Sequence, residues 1–130
     1  MKNYKLESEG PVLAGIIYCG ARIGYEDNKE YSMEEIFDLL DSINEERESQ
    51  KLPIPSCMIN ETFLLGRTGY GSYHEKVYCC KFSWSPRSGE ISSEKFKEVL
   101  YQYADQLGNS FKQERMYIEF EGRVEGFKKI

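Results

Sequence analysis

The order of periodic segments predicts an α+β fold of ferredoxin-like β-α-β-β-α-β layout, a four-stranded antiparallel sheet with two helices on one face. Three observations carry that expectation. Two segments repeat apolar residues at helical spacing behind serine caps. Four segments read as strands, in the matching order. The first and third strands, which this layout buries at the centre of the sheet, are the two most continuously apolar. The second and fourth alternate, as edge strands do.

The first strand is Val12 to Cys19, apolar on both alternations, and a polar stretch from Gly20 to Tyr31 follows it. Ser32 and Glu35 then form a capping box. Met33, Ile36, Leu39, Leu40 and Ile43 make the apolar stripe of a helix that runs to about Ser49, and Pro53 and Pro55 forbid its continuation. Cys57 to Leu65 reads as the second strand, Gly66 to Ser72 as a glycine-rich turn, and Glu75 to Trp84 as the third strand. Ser92 or Ser93 caps a second helix with Phe96, Val99, Leu100, Tyr103 and Leu107 on one face, and Gly108 reads as its stop. In Glu114 to Glu121, Met116, Ile118 and Phe120 alternate with Arg115, Tyr117, Glu119 and Glu121, so this strand is half-exposed. Gly122 to Phe127 extends it or folds back.

Composition narrows the possible functions. The 130 residues fit a single domain, 1–130. A net charge of −5 without a basic stripe excludes general binding to a nucleic-acid polymer. No apolar run approaches the roughly 18 residues of a spanning helix, so no membrane partner is expected. Cys19, Cys57, Cys79 and Cys80 show no metal-binding spacing and only one histidine accompanies them, so the reading is four reduced thiols, no metal, no cofactor and a cytoplasmic setting. As neighbours in a strand, Cys79 and Cys80 point to opposite faces.

In the expected topology, the loop after strand one, the turn between strands two and three and the start of strand four meet at one end of the sheet. They hold Arg22 and Tyr25; Arg67, Tyr70, Tyr73 and His74; and Arg115. Arginine offers planar, always charged donors for phosphate or carboxylate. Tyrosine rings stack on a base, and nearby glycines admit close backbone approach. The group therefore suits a small anionic, nucleotide-like ligand. His74 has no residue placed to orient it, and no catalytic triad can be assembled. Glu119 and Glu121 share a face of the fourth strand and could pair as carboxylates, or simply be solvated. Tyr117 and an aromatic face away from the helices, drawn from Cys19, Tyr78, Phe82 and Trp84 or their alternates, call for cover by a second copy, hence a homo-oligomer.

With its cluster of Arg22, Arg67 and Arg115 beside tyrosines, its small size and its lack of a catalytic set, the chain resembles phage-encoded nucleotide-signal sponges of the Thoeris anti-defence type. The resemblance implies a compact, oligomeric, non-enzymatic protein that sequesters a cyclic ADP-ribose derivative. The alternative is a protein-interaction or inhibitor module. It would act through the open sheet face or through the acidic first helix, with Glu34, Asp38, Asp41, Glu45 and Glu48 exposed.

Overall fold

The computed structural model describes residues 1–22, 29–69 and 71–130, without the side chains of Thr68 and Tyr73. Its elements are β1 (Leu13–Gly20), α1 (Met33–Ser49), β2 (Ser56–Thr68), β3 (Gly71–Trp84), α2 (Ser93–Ser110), β4 (Arg115–Phe120) and β5 (Arg123–Lys128). The α1 start is the expected capping box, with the Ser32 hydroxyl accepting from the Glu35 amide and the Glu35 carboxylate accepting from the Ser32 amide. Ser92 caps α2 by accepting from the Lys95 amide.

The sheet is antiparallel with order β2-β3-β1-β4-β5. The first four strands take the ferredoxin-like order, but the four-stranded description is incomplete. Glu121 and Gly122, both at positive φ (51° and 74°), make a two-residue turn that folds β5 back onto β4. Consequently β4 is an interior strand, not an edge. An isolated antiparallel bridge joins Arg22 to Glu30.

Two further expectations need correction. The stretch Gly66 to Ser72 is mostly strand, because β2 and β3 stay paired as far as Thr68 with Gly71. Nor does Gly108 end α2. The helix continues to Ser110, and Gly108 is buried where a Cβ would stand 3.1 Å from the Met116 side chain. That glycine is there for close packing of α2 on β4.

The odd residues of β1 face the helices. Ile17 and Cys19 are fully buried beside Tyr78, Cys80, Phe82, Ile118 and Phe120, with Ile36, Leu40 and Ile43 of α1 and Phe96, Val99, Leu100, Tyr103 and Leu107 of α2 above them. Tyr31 closes one end of this core. Its ring stacks on Phe111 at 3.7 Å, and its hydroxyl lies 2.7 Å from the Cys19 sulfur. All four cysteines are free thiols. Burial pushes the Cys19 thiol up to about 11, so it is an inert core group. Arg47 is the one buried charged residue among those described. Its guanidinium donates to the Pro53 carbonyl and the Gln102 side chain and lies over the Tyr103 ring at 5.0 Å, tying α1 to α2.

Candidate active site

The face away from the helices carries the even residues of β1. Across it, Tyr18 stands opposite Cys79 on one side and Tyr117 on the other, while Ile16 stands opposite Lys81 and Glu119. The expected members Cys19, Tyr78 and Phe82 are on the buried face instead, and their alternates take the open one. This follows from a register in which the apolar odd set of β1 meets the helices.

Arg115, Tyr117 and Glu119 alternate along β4 and so share this open face. At about 3.3 Å per residue they form a strip roughly 13 Å long. Tyr18 donates to Glu119 Oε2 at 2.8 Å. Burial, and then this hydrogen bond to a carboxylate, push the Tyr18 phenol up to about 12, so it is a proton donor at neutral pH. Cys79 is also raised, by burial and by the Glu119 charge, and is no nucleophile. Glu119 is half-buried, and none of the described cations lies within ion-pair distance of it. Tyr117 is 43% exposed, and its ring sits over Gly126 of β5, where a Cβ would come within 3.1 Å. The glycine leaves the ring room to lie flat, with its other side toward solvent.

A half-buried carboxylate without a cation, flanked by tyrosines, is complementary to a positive charge on a ligand. A cleft of about 190 Å³ continues the strip past Glu119. A larger groove of about 640 Å³ lies between α2 and the β4–β5 pair, floored by Ala104, Met116, Ile118 and Phe127. Beside it, Glu125 is already satisfied by Tyr101 and Lys97, at 2.8 and 3.1 Å. The groove carries polar residues of its own, Asp105, Asn109, Lys128 and Lys129 among them, so what singles out the open face is the half-buried Glu119 carboxylate with Tyr18 bonded to it.

The expected rim residues are only partly gathered. Arg22 and Arg115 lie at one end of the sheet, where the Gln113 side-chain amide donates to the Arg22 carbonyl at 2.7 Å. Arg67 and His74 lie far out on the β2–β3 hairpin, opposite Ser72 and Leu65, and both are exposed. With β1 pairing ending at Gly20–Val77, Arg67 stands roughly 20 Å from Arg115 by strand geometry. Their backbone positions are therefore well apart within one chain. Tyr25 and Tyr70 lie outside the described residues, as does the Tyr73 side chain. Arg87, at the other end, pairs with Glu7.

No protein-family profile and no curated protein sequence matches this chain. Solved structures do. The chain is similar in fold to a phage SAM lyase. One such structure, in complex with S-methyl-5′-thioadenosine, superposes with a TM-score of 0.64 and 17% identity over 98% of this chain and 97% of that one. The apo state gives 0.63 and 20% over 97% of each. These neighbours overturn the non-enzymatic reading. They are structures of an enzyme that acts on S-adenosylmethionine, so the anti-defence and sequestration expectations do not stand. The interaction-module alternative gains nothing from them either. The resemblance held only at its coarsest level, a likeness to a small phage-encoded protein.

Sequence reasoning missed Tyr18 as a partner of Glu119. The even alternation of β1 would have found it, but Val12 to Cys19 is apolar on both alternations and hides which set faces out. Among the described residues no helix is long and apolar enough to cross a membrane.

Proposed function

We propose that this protein is a lyase acting on S-adenosylmethionine or a closely related sulfonium nucleoside, at the open sheet face. The observation that carries the reading is the Tyr18–Glu119 pair, a half-buried carboxylate with no cation beside it in a fold shared with a SAM lyase. A sulfonium supplies the missing positive charge, and the Tyr117 and Tyr18 rings suit it as cation–π partners. Arg115, on the same face, pairs with the substrate carboxylate.

The chemistry asks little of the protein. The bond between sulfur and the γ-carbon of the amino-acid arm breaks, and its electron pair goes to sulfur, leaving a neutral thioether. Closure of the substrate's own carboxylate onto that carbon balances the step without water, a base or a protein nucleophile. The protein's tasks are then orientation, by Arg115, and electrostatic control of the sulfonium, by Glu119. The cation is lost on reaction, so Glu119 holds substrate more tightly than thioether product and favours release.

The reading extends to assembly. Beyond Val77 the β2–β3 hairpin runs on without β1 beside it, carrying Phe63, Leu64 and Leu65 at 66%, 48% and 78% exposure. A two-stranded ribbon is marginal alone, and exposed apolar runs of this kind are covered by partners. A homo-oligomer in which this arm reaches a neighbouring copy's open face also brings Arg67 and His74 toward the substrate carboxylate. A cytoplasmic setting fits the free thiols.

The test is incubation of purified protein with S-adenosylmethionine, separating products by liquid chromatography with mass detection. Methylthioadenosine and homoserine lactone should accumulate together. Intact substrate after long incubation, or transfer of the methyl group instead, would sink the proposal.

A further inference from the structure

The larger groove, about 640 Å³, lies on the helix side of the sheet, away from the open-face strip. Its floor is apolar because Met116, Ile118 and Phe127 pass beneath Ala104 and Gly108, two small positions of α2. Beside it runs the outer edge of β5. That strand is terminal in the sheet order, so its outward N–H and C=O groups have no ladder partner among the described strands. Round the edge, on the open face, Lys128 stands directly opposite Arg115, and neither makes an ion pair with a described residue. Like charges side by side on two strands are unfavourable unless an anion answers them. An open strand edge beside an apolar groove is a receptor for an extended peptide, whose backbone completes the ladder while alternate side chains fill the groove.

Residues 1–12 of this chain have the complementary character. They form no helix or strand, and all are exposed. Tyr4 and Leu6, each 75% exposed, share one side of an extended segment, and Lys5, Glu7 and Glu9 take the other. We propose that the groove between α2 and β5 receives this leading segment from a second copy of the chain, which adds as a strand to the β5 edge. Tyr4 and Leu6 enter the groove, and the acidic side turns to the open face. In the parallel sense, Leu6 beside Phe127 puts Glu7 beside Lys128 and answers its charge. The donor is a second copy rather than the same chain because of where the segment leaves the sheet. Gly10 lies against Pro86, where an added Cβ would come within 3.2 Å, and Glu7 lies 3.8 Å from Arg87. These contacts carry the segment to the β3 side of β1, whereas β4 and β5 are on the other side. The Glu7–Arg87 pair is exposed and holds the segment there only weakly.

The experiment mixes full-length Leu6→Cys chains with full-length Phe127→Cys chains under mild oxidation by diamide and weighs the products. A covalent two-chain species should form several-fold above the background of wild type, whose native thiols are the control. A mixture with Val124→Cys, which faces the open side, should stay at that background. No two-chain species above these controls, or bridging only when both cysteines sit in one chain, overturns the proposal. Hydrogen exchange at high protein concentration gives a readout that needs no added cysteine. The β5 amides should exchange at least about tenfold faster in Glu7→Lys than in wild type, and adding Lys128→Glu to the same chain should slow them again. Unchanged exchange in Glu7→Lys, or no recovery in the charge-swapped chain, overturns it equally.

Discussion

On the helix side of the sheet, Ile17, Cys19, Tyr78, Cys80 and Ile118 are buried to 1% exposure or less. On the open side, the residues beside them in sequence, Ile16, Tyr18, Cys79, Tyr117 and Glu119, are half-buried or exposed. The backbone is shared and only the parity of the residue number differs. The helix side spends its residues on packing, each fully buried aliphatic or aromatic side chain contributing about 1.5–3 kcal/mol. The open side keeps a carboxylate, two phenols and a guanidinium partly wet, which contributes little to stability and leaves them available to a ligand. Functional chemistry is therefore expected to be separable from folding along a single strand.

The sharpest way to break this comparison is Glu119→Gln. It keeps shape and removes the charge, and the KM for S-adenosylmethionine should rise by about a hundredfold with little loss of kcat, because the charge it faces belongs to the ground-state sulfonium and fades in the transition state. Thermal stability should stay put, and a large drop in Tm would mean that Glu119 belongs to the structural side. Arg115→Ala should raise KM about tenfold to a hundredfold, through loss of charge-assisted hydrogen bonds worth roughly 1.5–3 kcal/mol. Arg87→Ala, at the far end of the sheet, should leave KM alone, and equal effects from both would misplace the ligand.

On the other face the expectation inverts. A Cβ at Gly15 would come within 2.4 Å of Leu100 Cδ1 and 3.2 Å of the Glu119 carbonyl. Gly15→Ala should therefore cost about 1–3 kcal/mol by denaturant unfolding through overpacking, with the open-face chemistry retained in the folded fraction. For the hairpin arm, light scattering of wild type should give a mass of two or more chains. The double variant Phe63→Ser, Leu65→Ser should shift it toward the 15.2 kDa monomer, and a monomeric wild type would end the assembly proposal. The smallest effect concerns pH. Tyr18 titrates at about 12 when folded against an ordinary 10.0, so the folded state holds its proton longer. Its contribution is fully present below pH 10 and is lost as pH rises from about 10 to 12. Tyr18→Phe should flatten that part of the stability curve, and an unchanged slope would show the Tyr18–Glu119 bond to be energetically idle.

Much of the fold was legible because it is local. The Ser32–Glu35 capping box, the stripe Ile36–Leu40–Ile43, the Ser92 cap and the alternation of Met116, Ile118 and Phe120 all reappear where periodicity put them. The opposite facing of Cys79 and Cys80 also follows from strand geometry alone, and the structure has Cys79 half-buried on the open side and Cys80 buried against the helices. The β4–β5 turn was harder to see. Glu121-Gly122 lacks the asparagine or aspartate that usually announces a two-residue hairpin, so the strand after it read as an optional extension.

What the sequence determined by itself was the set of elements, their order and their apolar faces, because caps, breakers and periods of 3.6 and 2 act over a few residues. It also supplied Arg115, Tyr117 and Glu119 as one exposed set. Tertiary structure alone decided that β1 turns Tyr18 rather than Cys19 to the open face, that Tyr18 meets Glu119, 101 residues away in sequence, and that Arg67 is carried away from Arg115 on a long hairpin. The reason is physical. A strand apolar on both alternations satisfies its own local rules in either parity, so its facing is chosen only by the helices that cover it and by its register against β3 and β4.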